Sequence, residues 1–124
     1  MGDAEYHAAF EKVIMHKATE FKPELVIVSC GFDAAADDPL GKCNVTPKCY
    51  AYMTKELMTL ADGKVVVALE GGYNLEALRN SAEAVLKTLL GEEPGVLDLG
   101  TGTIKPSART DIDATLQAHT PYDG

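Results

Sequence analysis

Two short stretches hold the residues best suited to chemistry. In VSCGFDAAADDPLG, residues 28–41, an apolar run leads into Asp33, with Asp37 and Asp38 shortly after it. In EGGYN, residues 70–74, a second apolar run leads into Gly71, Gly72 and Tyr73. A carboxylate at such a point has three uses: it ligates a divalent metal, it acts as a general base, or it caps the turn after a strand. Asp37 and Asp38 precede Pro39, so both read as turn-forming side chains bonded to local backbone. Asp38 is also placed to brace the loop that carries Asp33. Gly71 and Gly72 permit a sharp backbone turn. A tyrosine on that turn offers a phenolic hydroxyl, suited to stabilising an oxyanion or to a half-buried place at a strand–helix junction.

Other candidates carry less. EGGYN is not the GxGxxG of a dinucleotide fingerprint, and GTGT at residues 100–103 follows no buried strand. His7 and His16 lie nine residues apart, which on a uniform α-helix puts them on opposite sides. With His119 near the tail, all three histidines read as surface or packing residues. The three cysteines, Cys30, Cys43 and Cys49, include no CxxC pair and form no disulfide framework. Cys30 ends an apolar strand and reads as a small core residue.

The elements that must position Asp33 and Tyr73 follow from periodicity. Asp3 is a candidate N-cap, and Ala9, Phe10, Val13, Ile14, Ala18 and Phe21 recur at helical spacing, so residues 4–21 read as an amphipathic helix ended by Pro23. ELVIVSC reads as a strand buried on both faces. Thr46 caps a second helix with Pro47 at its first position, and Tyr50, Met53, Leu57, Leu60 and Ala61 form the apolar stripe. Asp62-Gly63 ends it, and KVVVAL is a second buried strand. A third helix spans about Leu75 to Leu90, with Leu75, Leu78, Ala82, Val85, Leu86 and Leu89 on one face. Residues 92–105 read as loop, and a last helix from Ser107 turns Ala108, Ile112 and Leu116 inward. The division is an αβαβα core over 1–91 and a loop with terminal helix over 92–124.

Alternating strands and helices specify an α/β fold with a parallel sheet and flanking helices. Ligands of such sheets bind beyond the carboxyl ends of the strands, where both loops emerge. If the strands are neighbours, Asp33 and Tyr73 face one another across one crevice. Two strands buried on both faces need further strands and helices, so the chain reads as the C-terminal part of a larger domain, or as one that pairs with another copy.

Composition narrows the partners. The 124 residues carry a formal net charge of −8 and a pI of about 4.7, which argues against direct nucleic-acid binding and suits a basic partner better. No apolar run approaches a membrane span, and the polar start MGDAEYHAAF does not read as a signal peptide. The expected compartment is the cytoplasm or nucleus.

PELVIVSCGFDAAADDPLG followed by VVVALEGGYNL resembles the zinc-dependent histone deacetylase family, and its class II branch in particular. The likeness runs from GDAEYHAAF to KPSARTDIDATLQAHTPY, which is similar to the helix closing that catalytic domain. The resemblance implies a fold of the arginase–deacetylase type and hydrolysis of N-acetyl-lysine in histones or other proteins. Zinc would polarise the carbonyl and a histidine pair would handle protons. It implies that Asp33 matches one of three zinc ligands and that Tyr73 matches the tyrosine bonded to the acetyl carbonyl. Gly71 and Gly72 match the glycines shaping that turn, and Leu40 matches a residue at the rim of the acyl-lysine tunnel. Ala36 and Asp37 stand where class II relatives commonly have Arg and Gly.

The other two zinc ligands and the histidine pair belong to an upstream part of that domain. The isolated chain is therefore expected to be inactive, to bind zinc weakly or not at all, and to self-associate through open sheet edges. Two alternatives stand beside this reading: an acetylpolyamine amidohydrolase-like enzyme, and a non-catalytic interaction module that keeps a remnant of the fold.

Overall fold

The computed structural model describes residues 1–122. Helix α1 spans Asp3–Ala9, a π-helical turn spans Phe10–Ile14 and α2 spans Met15–Phe21, in one unbroken rod. Strand β1 is Val26–Cys30, α3 is Pro47–Leu57, β2 is Val65–Leu69, α4 is Leu75–Leu89 and α5 is Pro106–His119. Strands β1 and β2 pair in parallel, Val26 opposite Val65 through Cys30 opposite Leu69. Residues 92–105 carry no helix or strand, as their glycines and prolines predict. No helix among the described residues is long and apolar enough to cross a membrane.

One face of this sheet is covered. Val28, Cys30 and Val67 meet Tyr50 and Met53 of α3 and Val85, Ala82 and Leu89 of α4 in the main core cluster. The other face is open: Ile27 is 69% exposed and Val66 51%. The expectation of strands buried on both faces is met only in part within this chain: toward α3 and α4 Cys30 is buried, Val28 and Val67 are half-buried and Leu69 is 63% exposed. A continuous apolar run records burial in the finished domain and does not say which element supplies the cover.

Several local expectations need correction. Asp3 does not cap its own helix. Gly2 holds that place, and the Asp3 carboxylate instead accepts hydrogen bonds from the backbone N–H and hydroxyl of Thr46. Thr46 does cap α3, accepting from Cys49 N–H at 3.3 Å, with Pro47 next. One residue thereby links two helix starts. On α4 the buried side is Ser81, Val85 and Thr88, while Leu75 and Leu86 are 80% and 59% exposed. The rest of the expected face, Leu78, Ala82, Val85 and Leu89, does pack into the main core. The π-turn also upsets the opposite-sides argument for His7 and His16, since it adds a residue to one turn. Along the axis they remain about 13 Å apart, too far to share a metal. His7 stacks on Tyr52 with centroids 4.9 Å apart, and His16 pairs with Glu20 at 3.3 Å on the surface.

Helix α5 turns Ala108 and Ile112 inward against Ala8, with Ile104 completing a second small core. The three thiols are free, Cys30 and Cys49 buried and Cys43 half-buried.

Candidate functional site

The site begins where the strand ladder runs on. Beyond Cys30 and Leu69 the two chains stay bonded, Glu70 N–H to Cys30 O at 3.0 Å and Phe32 N–H to Gly71 O at 2.7 Å. The pleat then sends successive side chains to opposite sides. Phe32 goes inward, 3% exposed, and meets Tyr50 edge to face with centroids 4.9 Å apart. Burying that ring is worth about 3 kcal/mol, and it turns Asp33 outward into solvent.

Asp33 takes no part in capping. No hydrogen bond or ion pair from the described residues reaches its carboxylate, and the geometry explains why. A Cβ on Gly31 would lie 3.1 Å from Asp33 Oδ1, and one on Gly71 would lie 3.3 Å from Oδ2. Glycines flank both oxygens, so neither is hidden. The same point beside Gly71 is 3.5 Å from the Tyr73 hydroxyl. The acid and the phenol therefore border one small space, and Tyr73 is itself 56% exposed, its hydroxyl without a partner among the described residues. Gly72 has φ of +139°, and a Cβ there would meet Leu78 Cδ1 at 2.9 Å. This turn therefore requires glycine on both counts.

The capping falls to Asp38. Its buried carboxylate accepts from Leu40 N–H at 2.8 Å and Gly41 N–H at 3.1 Å in its own loop, and from Tyr73 N–H at 2.8 Å in the other. Burial alone would push this carboxyl up, but the backbone donors of Tyr73, Leu40, Gly41 and Asn74 together hold it below the usual aspartate value. Asp37 has φ of +70°, a left-handed conformation that glycine adopts freely and aspartate tolerates better than most residues. Its carbonyl accepts from Asn74 Nδ2 at 3.2 Å, a second tie between the loops. Leu40 lies on the turn held by Asp38 and is 65% exposed.

Sequence reasoning missed three contributors. Gly41 crosses Asp33 so closely that a Cβ would fall 1.6 Å from the Asp33 carbonyl oxygen. Its sequence signal is the PLG turn, which announces a turn and not a crossing. Tyr6 and Tyr50 join Asp33 in lining a cavity of about 410 Å³ with Phe10, Cys30 and Gly71. Burial raises the pKa of both phenols, and negative charge on Asp33 adds to the shift. The Tyr50 hydroxyl has no hydrogen-bond partner among the described residues. Helical spacing had marked Tyr50 only as core.

As a metal ligand, Asp33 supplies one accessible hard oxygen donor. Among the described residues no three His, Cys, Asp or Glu side chains gather into a ligand set. A zinc site uses three or four protein ligands, so Asp33 would fit such a site as a single member and does not form one with the other described residues.

Residues 1–89 match the histone deacetylase domain family. Histone deacetylase HDA1 of Saccharomyces cerevisiae is 49% identical over 122 residues, 98% of this chain and 17% of that protein. A solved structure of the histone deacetylase Clr3 superposes with a TM-score of 0.87 at 54% identity, over 92% of this chain and 19% of that one. Polyamine deacetylase HDAC10 of Mus musculus is 46% identical over 98% of this chain and 18% of its own length. The chain thus spans less than a fifth of each of these relatives.

Proposed function

The chain belongs to the histone deacetylase family, and on that premise we propose that it forms the C-terminal part of the catalytic domain of a class II-like, zinc-dependent lysine deacetylase. The single observation that carries this reading is the pairing of an ungripped Asp33 carboxylate with the Tyr73 hydroxyl around one point beside Gly71. In this reading Asp33 is a zinc ligand. Bound zinc would polarise the acetyl carbonyl and lower the pKa of its water. Tyr73 donates its hydroxyl to the oxygen that gains charge as the amide is attacked. Asp38 positions that tyrosine through its backbone, Gly71 leaves the space between acid and phenol open to the substrate, Gly72 shapes the turn that presents Tyr73, and Leu40 stands at the rim of the acyl-lysine channel.

Residues 1–91 would then be the αβαβα portion of the domain and 92–124 its closing loop and helix. The rest of the domain would cover the open sheet face and bring the remaining zinc ligands and the histidine pair. The substrate would be an acetylated lysine in histones or other proteins, reached in the nucleus or cytoplasm. The small-amine alternative is not favoured, since the relatives named above are chiefly histone deacetylases.

A chimera tests the proposal. This chain replaces its matching segment in Clr3, and hydrolysis of an acetyl-lysine peptide is measured beside the zinc content. The chimera should be active. Tyr73→Phe should lower kcat by about 100-fold or more with zinc retained, and Asp33→Ala should lose zinc. Unchanged turnover in the Tyr73→Phe chimera would remove Tyr73 from the mechanism.

A further inference from the structure

Past the last rung of the ladder, Phe32 N–H to Gly71 O, two hydrogen bonds alone join the Asp33 loop to the Tyr73 turn among the described residues. One is the bond from Tyr73 N–H to Asp38. The other runs from Asn74 Nδ2 to the Asp37 carbonyl oxygen at 3.2 Å. Asn74 is also the N-cap of α4, its Oδ1 accepting from Ala77 N–H at 3.0 Å. Its backbone carbonyl accepts from Leu78 N–H at 2.8 Å. One residue thus joins the start of α4, the turn that carries Tyr73 and the loop that carries Asp33.

Capping by itself does not call for asparagine. A cap needs one acceptor, and Asp and Ser supply it about as well, with Thr close behind. Aspartate has no donor, and the single oxygen of a serine or threonine is already spent at the helix start. An amide of this length accepts with its oxygen and donates with its nitrogen at once. The place where the donor lands matters too. Asp37 has φ of +70°, a conformation that persists in a residue other than glycine where its surroundings hold it. Asn74 supplies part of that hold from a 15-residue helix anchored in the main core through Leu78, Ala82, Val85 and Leu89.

We propose that Asn74 is a positioning residue for deacetylation, acting by fixing the Tyr73 hydroxyl against Asp33 across the two loops. This rests on the functional reading above, in which that hydroxyl bonds the oxygen that gains charge. The acid and the phenol border one point beside Gly71, and the bonds of Asp38 and Asn74 set how they stand to one another. Without the Asn74 donor, the Tyr73 turn keeps only its Asp38 bond and pivots about it. The phenol then spends less time where the transition state needs it. A donor that acts on developing charge alone changes kcat and leaves KM.

Asn74→Ser keeps an acceptor at the cap and is too short to reach Asp37. In the Clr3 chimera it should lower kcat about fivefold, the population shift of one ordinary hydrogen bond, with KM and zinc content unchanged. In the chimera already carrying Tyr73→Phe it should change kcat less than about twofold, since the hydroxyl it aims is gone. In the 124-residue chain, NMR-detected hydrogen exchange should quicken at the Tyr73 N–H while the Ala77 N–H stays protected; Asn74→Ala, which also loses the cap, should quicken both. Equal losses of kcat with and without the Tyr73 hydroxyl would make Asn74 a merely structural residue and overturn the proposal, as would an unchanged kcat in the first background. Unchanged exchange at Tyr73 would overturn the cross-loop tie itself. A chimera that is inactive, or indifferent to Tyr73→Phe, would instead count against the functional reading, and exchange in the chain would then judge the tie.

Discussion

Replacing Gly41 with alanine should damage both stability and catalysis, although Gly41 touches no substrate in the proposed mechanism. A Cβ at this position would sit 1.6 Å from the Asp33 carbonyl oxygen and 2.5 Å from its carbonyl carbon. Ordinary carbon–oxygen contact is about 3.3 Å, so the two segments must part by more than 1 Å. Neither atom belongs to a flexible side chain, so the backbone itself has to move. Overpacking of this kind costs about 3 kcal/mol or more. The movement falls on Asp33, and misplacing a reacting group by about 1 Å costs on the order of 100-fold in rate. Gly100→Ala is the control, because nothing lies within 4 Å of its Cβ and only its φ of +59° is penalised, by about 1 kcal/mol. The assay is urea unfolding and acetyl-lysine turnover of the Clr3 chimera carrying each substitution. If Gly41→Ala unfolds at the midpoint of Gly100→Ala and keeps full turnover, the close crossing is not what holds Asp33.

Three further outcomes are expected. Asp38 has its folded pKa held below the ordinary value of 3.8, so its contribution is complete above that value and is lost as pH falls through the lower folded one; urea midpoints should drop in acid, and Asp38→Asn should start lower at neutral pH and show less of that drop. Thr46→Val removes the cap of α3 and the hydroxyl donor to Asp3 while keeping the backbone one, and should cost about 1–2 kcal/mol by chemical denaturation, with the Asp3→Ala and Thr46→Val costs adding to more than the double variant. Burial pushes the Cys49 thiol up to about 12, so iodoacetamide at pH 8 should label the half-buried Cys43 well before Cys49, as read by peptide mass spectrometry; equal rates would contradict the packing around α3.

How much of this was legible depends on the range of the interaction. The strands and the helices' places were, because ELVIVSC, KVVVAL and the 3.6-residue stripes are local patterns, although α3 stops at Leu57, short of the Leu60 and Ala61 assigned to its stripe. So was the meeting of Asp33 with Tyr73, since adjacent parallel strands place the loops at their carboxyl ends together. Asp3 was misread because its partner, Thr46, is 43 residues away and nothing local distinguishes the two uses of an aspartate before a helix. The face of α4 was read correctly for Leu78, Ala82, Val85 and Leu89 but not at its edges, where periodicity counts leucines and Leu75 and Leu86 stay exposed while Ser81 and Thr88 are buried. Gly41 was passed over because a glycine required by a crossing backbone looks like any turn glycine. The division of labour between Asp33 and Asp38 was open for the same reason: three aspartates in one loop differ only in which backbone N–H groups they reach.

The extra residue lodged in the π-helical turn at Phe10–Ile14 works as a phase adjuster between the two halves of the first rod. Tyr6 and Phe10 line the cavity beside Asp33, and His7 and Phe10 rest on Tyr52, while the other half must end at the angle that feeds β1. An uninterrupted α-helix would lock those two bearings together. Excising a single residue there would restore regular winding and swing one half against the other by about 100°, turning the Tyr6 phenol away from the cavity it shares with Asp33.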